Sequence, residues 1–296
     1  TPVLGFDGSP NAIDELISTN LILAVGFKRA NSPVISNKMR TAVANGAKVI
    51  LINPDSYVQD LEFVSEAHYN KDNELDLLRG IAAAIVKSGK GAELAGYEEF
   101  AASLADTEIS AEAQAIADQY MSAKKAMIVF QQNEISVEAA TLLADIALLS
   151  GHIGAPRDGI LQIKPKNNSQ GLIDMGITAG AEALEGVKAL LVFGEEADID
   201  TDSLEFLAVC DTHMTNLAAK AEVVIPGTGF TSIDGTYTST ERRMGLVQRT
   251  IDEGIALGNW EVAQEIARVF EVDYDWESTN DISDDMDREV PTYKNA

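Results

Sequence analysis

Uninterrupted runs of aliphatic and β-branched residues recur in this sequence. The runs are LILAVG (21–26), KVILIN (48–53), AMIVFQ (126–131), ALLVFG (189–194), FLAVCD (206–211) and EVVIPG (222–227). Apolar runs without polar alternation are typical of strands that are covered on both faces. The pattern therefore predicts an α/β fold with parallel sheets.

Segments with helical spacing of apolar residues lie between these runs. The predicted helices are SNKMRTAVANG (36–46) and the segments near 74–89, 110–124, 137–151 and 259–270. Ser110 is a good N-cap, whereas Gly46 and Gly151 are good C-terminal caps. Asp234 and Gly235 predict a turn, which suits a hairpin or an irregular strand from residue 232 onward. A strand–helix–strand order implies parallel pairing.

The same α/β plan occurs twice. We predict a first α/β domain over residues 1–165, the greater part of a second over 166–270, and an acidic tail over 271–296. Residues 271–290 of the tail contain nine acids and one base, which predicts a solvated and partly disordered segment. The polar loop KPKNNSQGLIDMG (164–176) would connect the two domains.

Composition narrows the function classes. The 296 residues carry a formal charge of −25, so free nucleic acid or an anionic membrane would be repelled. No signal peptide and no apolar stretch of membrane length is visible, so we predict no direct membrane insertion. An acidic cytoplasmic protein fits best. The sequence begins TPVLGF without an initiator Met, which suggests a fragment.

Most local motifs predict no chemistry. GKGAEL (89–94) lacks the third Gly of a dinucleotide loop and follows a helix rather than a strand. His68, His152 and His213 lack metal-ligand spacing, so no metal site is predicted. Cys210 is the only cysteine, which excludes a disulfide or an iron–sulfur cluster within this stretch. Next to Asp211, it is better interpreted as a buried structural thiol than as a nucleophile.

The ends of the predicted strands carry the more informative residues. In parallel α/β sheets, ligands bind beyond the carboxyl ends of the strands. The residues at these ends are Gly26, Asn53, Gln131, Gly194 with Glu195, and Asp211. They outline a site for a large ligand without specifying which one.

The order of motifs resembles the molybdopterin oxidoreductase superfamily. The pieces are NAIDELISTNLILAVGFKRANSPV, MRTAVANGAKVILINP, LLSGHIGAPRDGI, KNNSQGLIDMG, LLVFGEEAD, DTHMTNLAAKAEVVIP and DGTYTSTERRMGLVQRTI. They follow the family's order over roughly residues 11–270. The NSQG wording looks closest to the large peripheral-arm subunit of bacterial NADH–quinone oxidoreductase, with the formate dehydrogenase α subunit as a near relative.

The resemblance implies two Rossmann-like α/β domains, of the type found in formate dehydrogenase and DMSO reductase, that hold a bis-molybdopterin guanine dinucleotide between them. It also implies a cysteine-rich iron–sulfur region upstream. Asn168, Gln170 and Gly171 match the family's N-x-Q-G pattern, Gly194 and Glu195 match a dinucleotide-contact turn, and Asp211 matches an acid after the next strand. Together with Gly26, these residues form a predicted cofactor-contact set, vestigial or weak in this protein.

Several departures from the family pattern weaken that set. An acid, Asp55, stands where cofactor-binding relatives usually have an arginine after Asp-Pro. Residues 131–134 (QQNE) replace a Gly-rich turn, and Lys164 with Lys166 replaces an Arg-Gly-Gln element, which preserves charge but not bidentate geometry. These changes favour a domain that has kept the fold and lost or weakened its cofactor.

Three hypotheses follow. The first is a scaffold domain of the large peripheral-arm subunit of NADH–quinone oxidoreductase, with no catalytic residue, no bound molybdenum or other cofactor in this stretch, and other subunits of the NADH dehydrogenase complex as partners. Such partners would place it at the periphery of the inner membrane. The second is a formate-dehydrogenase-like enzyme with a Mo or W centre, whose active-site Cys or selenocysteine would lie upstream. The third is an unrelated α/β binding module.

Overall fold

A computed structural model describes residues 8–54, 56–58, 61–70, 74–177, 181–194, 199–252, 254 and 257–293. The protein divides into two compact units. The first comprises Thr1–Gln170 with Thr238–Arg243, and the second comprises Gly171–Tyr237 with Met244–Ala296. We call Thr238–Arg243 the return segment, because there the chain rejoins the first unit.

The first unit is built on a five-stranded parallel sheet. Its strands are β1 (Leu21–Val25), β2 (Lys48–Pro54), β3 (Glu66–Asn70), β4 (Ala126–Gln131) and β5 (Gly159–Ile163). They lie in the order β3-β2-β1-β4-β5. At the carboxyl end of β1, Val25 pairs with Ile52 of β2 on one side and Phe130 of β4 on the other. The order of the strands thus reverses between β1 and β4.

Helices cover both faces of this sheet. They are α1 (Pro33–Ala44), α2 (Leu75–Lys87), α3 (Tyr97–Ser103), α4 (Ala111–Ser122) and α5 (Val137–Ser150). Leu21, Leu23 and Val25 share a core with α2, α4 and α5, whereas Ile22 and Ala24 share the opposite core with α1. Burial on both faces explains why the strand sequence is continuously apolar.

The second unit contains a smaller parallel sheet. Its strands β6 (Ala189–Phe193), β7 (Phe206–Asp211) and β8 (Val223–Pro226) lie in sequential order. Val192, Leu207 and Val209 form its core with residues that follow β7. The remaining elements are α6 (Ser169–Asp174), the two-stranded pair β9 (Gly235–Thr238) and β10 (Met244–Val247), α7 (Asn259–Val269) and α8 (Thr279–Glu289).

The α/β class and the parallel sheets are confirmed, and all six apolar runs form strands. The sequence did not predict β3, β5, α3 or α6, and α6 lies within residues 164–176, where a polar loop was expected. Helix α8 forms within the acidic stretch, where the Asp281 carboxylate accepts hydrogen bonds from the N–H and the hydroxyl of Ser278 at 2.8 and 3.0 Å. The domain boundaries at 165 and 270 stay a prediction. Among the described residues, no helix has the length and apolarity needed to cross a membrane.

Candidate functional site

The reversal of strand order in the first unit lies beside Gly26. This residue follows β1 with φ of +60°, and its N–H donates to the carbonyl of Ile52 at 2.9 Å. We call residues 26–32, which lead from β1 into α1, the β1 exit loop. In open parallel α/β sheets, ligands bind in the crevice at such a reversal. Gly26 therefore lies where the sequence analysis expected a cofactor contact.

Two amide side chains hold the β1 exit loop from both sides. The Asn53 amide accepts from the N–H of Phe27 and donates to its carbonyl, both at 2.9 Å. The Gln131 amide does the same to Lys28, with both distances 3.1 Å, and also donates to the Ser32 hydroxyl at 2.8 Å. We call Asn53 and Gln131, each 1% exposed, the amide clamp. Their polar groups are used within the protein.

Residues that follow β4 cover the β1 exit loop. A Cβ placed on Gly26 would lie 2.5 Å from Ile135 Cγ2 and 3.2 Å from Glu134 Cβ. Lys28 forms an ion pair with Glu134, and its ammonium lies 5.0 Å from the ring centroid of Tyr57. The side chains of Glu134 and Ile135 thus occupy the space over Gly26.

A cavity of about 450 Å³ lies beside this cover. Its lining includes the carboxylates of Glu74, Glu134 and Glu138 and, within the described part of the protein, no Lys or Arg. Glu134 pairs with Lys28 and Glu138 with Arg79, so the surroundings of the cavity stay net negative. A pyrophosphate would be repelled here.

The N-x-Q-G pattern lies where the return segment joins the first unit. The N–H of Thr238 donates to Asn168 Oδ1 at 2.9 Å, so this acceptor is already used. The Gln170 side chain is 1% exposed. A Cβ on Gly8 would lie 2.9 Å from Arg242 Cδ and 3.3 Å from Gln170 Oε1, which shows how tightly this junction packs.

The ends of β6 and β7 carry the predicted residues of the second unit. Gly194 follows β6 with φ of +56°, its N–H donates to the carbonyl of Cys210 at 2.9 Å, and a Cβ there would meet no described atom within 4 Å. Asp211 ends β7, and its Oδ1 accepts from the N–H of Thr212 at 2.6 Å. Its Oδ2 bonds no described residue. Gly171 is buried within α6.

Two residues that the sequence analysis named, Asp55 and Glu195, lie outside the described residues. The others fall into three places: Gly26 at the β1 exit loop, Asn168 and Gln170 at the junction with the return segment, and Gly171, Gly194 and Asp211 in the second unit. Their role as cofactor contacts stays a prediction.

The amide clamp was not predicted from the sequence. Asn53 and Gln131 were expected at strand ends, but their partners in the β1 exit loop lie 26 and 103 residues away. An amide residue that ends each strand flanking β1 was the available signal.

The surroundings of Cys210 and His152 indicate structural roles rather than chemical ones. Burial raises the pKa of the Cys210 thiol, and the neighbouring Asp211 carboxylate adds to the effect, so the reactive thiolate is disfavoured. His152 is buried, with Nδ1 2.7 Å from Asp158 and Nε2 2.9 Å from the carbonyl of Tyr120. Within the described ranges, no three His, Cys, Asp or Glu side chains are placed to hold a metal.

Two parallel α/β units, each with a left-handed glycine at the end of a strand, are typical of the Rossmann-like class of proteins. The chain belongs to the molybdopterin oxidoreductase family, whose model matches residues 8–269. The hypothesis of an unrelated α/β binding module is therefore wrong.

Its relatives include formate dehydrogenase subunits. The F420-dependent formate dehydrogenase 2 subunit alpha of Methanococcus maripaludis is 25% identical, over 98% of this protein and 53% of the relative. Formate dehydrogenase H of Escherichia coli is 24% identical, over 99% of this protein and 51% of the relative. The chain spans about half the length of these curated relatives. The closer similarity to the large peripheral-arm subunit of NADH–quinone oxidoreductase stays a prediction.

Solved structures support the fold. Acetylene hydratase from Pelobacter acetylenicus matches with a TM-score of 0.71 at 13% identity, over 95% of this protein and 52% of the hydratase. A component of the formyltransferase/hydrolase complex from Methylorubrum extorquens matches with a TM-score of 0.58 at 15% identity, over 90% of this protein and 79% of that component.

The two units fit a dinucleotide cofactor differently. In the first, the crevice at the strand reversal is filled by the protein's own side chains and borders a net negative cavity. In the second, Gly194 opens onto free space among the described residues, and Asp211 retains one carboxylate oxygen without a described partner. Among the described residues, the second unit leaves its predicted contact positions open, whereas the first unit fills its crevice with its own side chains.

Proposed function

We propose that this protein is the cofactor-holding part of a formate-dehydrogenase-type oxidoreductase α subunit, with its second unit as the half that binds a guanine dinucleotide form of molybdopterin. The observation that carries this proposal is the pair of neighbouring strand ends in the second unit, where Gly194 follows β6 and Asp211 ends β7. Support comes from the formate dehydrogenase subunits among the relatives and from the N-x-Q-G and Gly-acid patterns in the sequence.

In this proposal, Asp211 orients the nucleotide end of the cofactor. A carboxylate accepts hydrogen bonds, and the edge of guanine presents N–H donors. Gly194 leaves room for close approach of the ligand to the backbone, because it has no side chain and adopts a left-handed conformation. When bound, the cofactor would supply the molybdenum or tungsten centre for redox chemistry, and partner subunits would exchange electrons with it.

A second candidate function is a scaffold domain without molybdenum, of the kind expected for the large peripheral-arm subunit of NADH–quinone oxidoreductase. The closed β1 exit loop favours it, because half of the expected cofactor surface is filled. The two candidates differ in metal content and in activity with formate.

Metal and nucleotide analysis of the full-length protein, purified from its source, tests the proposal. We expect stoichiometric molybdenum or tungsten, release of GMP on acid hydrolysis, and formate-dependent reduction of a viologen dye. Absence of both metal and GMP would favour the scaffold. In the recombinant full-length protein, Asp211→Asn should lower GMP content, whereas Asp202→Asn, an exposed change in the same unit, should not.

A further inference from the structure

The β1 exit loop of the first unit is held in a closed conformation by side chains from three directions. Asn53 binds it from β2 and Gln131 from β4. Glu134 and Ile135 cover its first residue, Gly26. The amide groups of Asn53 and Gln131 are hydrogen-bonded within the protein by these contacts. The loop is therefore tightly packed against other residues of the first unit.

The helix after the loop is also poorly arranged for a phosphate. Helix N-termini bind phosphate through free N–H groups. In α1 the first helical residue is Pro33, which has no N–H. The hydroxyl of Ser32, at the N-cap position, accepts a hydrogen bond from Gln131 and does not cap the helix. One backbone N–H donor is therefore absent, and the Ser32 side chain is already hydrogen-bonded to Gln131.

We propose that the strand-reversal crevice of the first unit is permanently filled by the protein itself, so that guanine dinucleotide binding is confined to the second unit. The statement that the second unit binds the nucleotide rests on the proposed function. The statement that the loop is closed rests only on the contacts of Asn53, Gln131, Glu134 and Ile135.

Hydrogen exchange with GDP as the probe tests the closed loop and the nucleotide site of the second unit separately. The measurement compares the full-length protein with and without millimolar GDP. We expect slow exchange in the peptide covering residues 26–36 under both conditions, and GDP-dependent protection in the peptide covering 211–215. Any GDP-dependent change in 26–36 would overturn the inference. No change in either peptide would leave the loop closed and count against nucleotide binding by the second unit.

A pair of variants tests what closes the loop. Gln131→Ala removes three hydrogen bonds to Lys28 and Ser32, so exchange at residues 26–32 should become about tenfold faster or more. GDP should still leave this peptide unchanged, because Glu134 and Ile135 remain over Gly26. The matched control is Gln132→Ala, whose amide oxygen accepts from Gln162 and Lys164 instead. Equal acceleration in both variants would contradict a role for the amide clamp.

The GMP-to-metal ratio of the native protein gives an independent result. The inference predicts one GMP per molybdenum or tungsten atom, because only the second unit supplies a nucleotide site. A ratio of two would overturn it. Metal-free protein without GMP would defeat the proposed function and agree with the closed loop.

Discussion

Asp145 is a half-buried carboxylate that forms no ion pair with any described residue. It lies on α5 and lines a cavity of about 480 Å³ together with Phe100, Leu104 and Leu142. Burial raises its pKa to about 6 from an ordinary value of 3.8. The folded protein therefore holds a proton on Asp145 in a pH range where the unfolded chain has lost it, so stability falls as pH rises from about 4 to about 6.

Replacing Asp145 by Asn should stabilise the protein at neutral pH. The neutral amide avoids the cost of ionising a half-buried acid, and we expect a gain of about 1 kcal/mol in the free energy of unfolding after allowing for partial solvent screening. The gain should be smaller at pH 5, where the folded acid is largely protonated. Urea unfolding at pH 5 and pH 7.5 measures both values.

Asp106→Asn is the matched control, because it removes the same charge from an exposed position in the same unit. It should have a smaller effect than Asp145→Asn. A gain for Asp145→Asn that matched the control, or that was equal at both pH values, would contradict burial as the cause.

At the scale of elements, the segment that leads into α5 packs against the glycine that follows β1. Gly26 has a left-handed conformation, and Ile135 packs directly over its Cα. Two requirements therefore act at one position, a positive φ and the absence of a side chain. Gly46, which follows α1, has the first requirement only, since its φ is +96° and a Cβ there would meet nothing within 4 Å.

Gly26→Ala should destabilise the first unit by about 2–3 kcal/mol, because the backbone strain and the overlap with Ile135 add. Gly46→Ala should cost about 1 kcal/mol, from conformation alone. Urea unfolding compares the two variants with the unaltered protein. Equal losses for Gly26→Ala and Gly46→Ala would rule out a tight cover over the loop.

Elements differ in how far the sequence could predict them. The sequence reveals β1, β2 and β4 because both of their faces are buried and their residues are almost all apolar. β3 (EAHYN) lies at the edge of the sheet and carries polar residues, so no apolar run marks it. α8 forms in a segment whose composition predicts disorder, because its first turn is capped locally by Asp281.

The candidate site was predictable only in part. Motif order placed glycines and acids at strand ends, which is a property of local sequence. The closed crevice depends on contacts between Gln131 and a loop 103 residues away, and on the packing of Ile135. The sequence shows that an amide residue ends each strand flanking β1, but which residues these amides bind is a property of the folded protein.

At the scale of the whole molecule, we expect the net charge of −25 to determine how the stability of the protein depends on salt. Like charges repel one another more strongly in the compact state than in the unfolded chain. Salt shortens the range of this repulsion, to about 10 Å at 0.1 M and about 3 Å at 1 M. We therefore expect Tm to rise between about 0.05 and roughly 0.5 M KCl. Differential scanning fluorimetry measures the shift, with tetramethylammonium chloride as a second screening salt. A Tm that falls with both salts would show that ion pairs outweigh the repulsion.

The return segment also sets an order in time during synthesis. The polypeptide leaves the first unit at Gln170 and rejoins it at Thr238, so residues 171–237 are translated in between. At about 5–20 residues per second, this interval lasts roughly 3–14 s. Until Thr238 has emerged from the ribosome, Asn168 lacks the N–H that it binds in the finished protein. The first unit to be started is thus completed only after the sheet of the second unit has been made, and a ribosome that stalls between the two leaves a nascent polypeptide with neither unit closed.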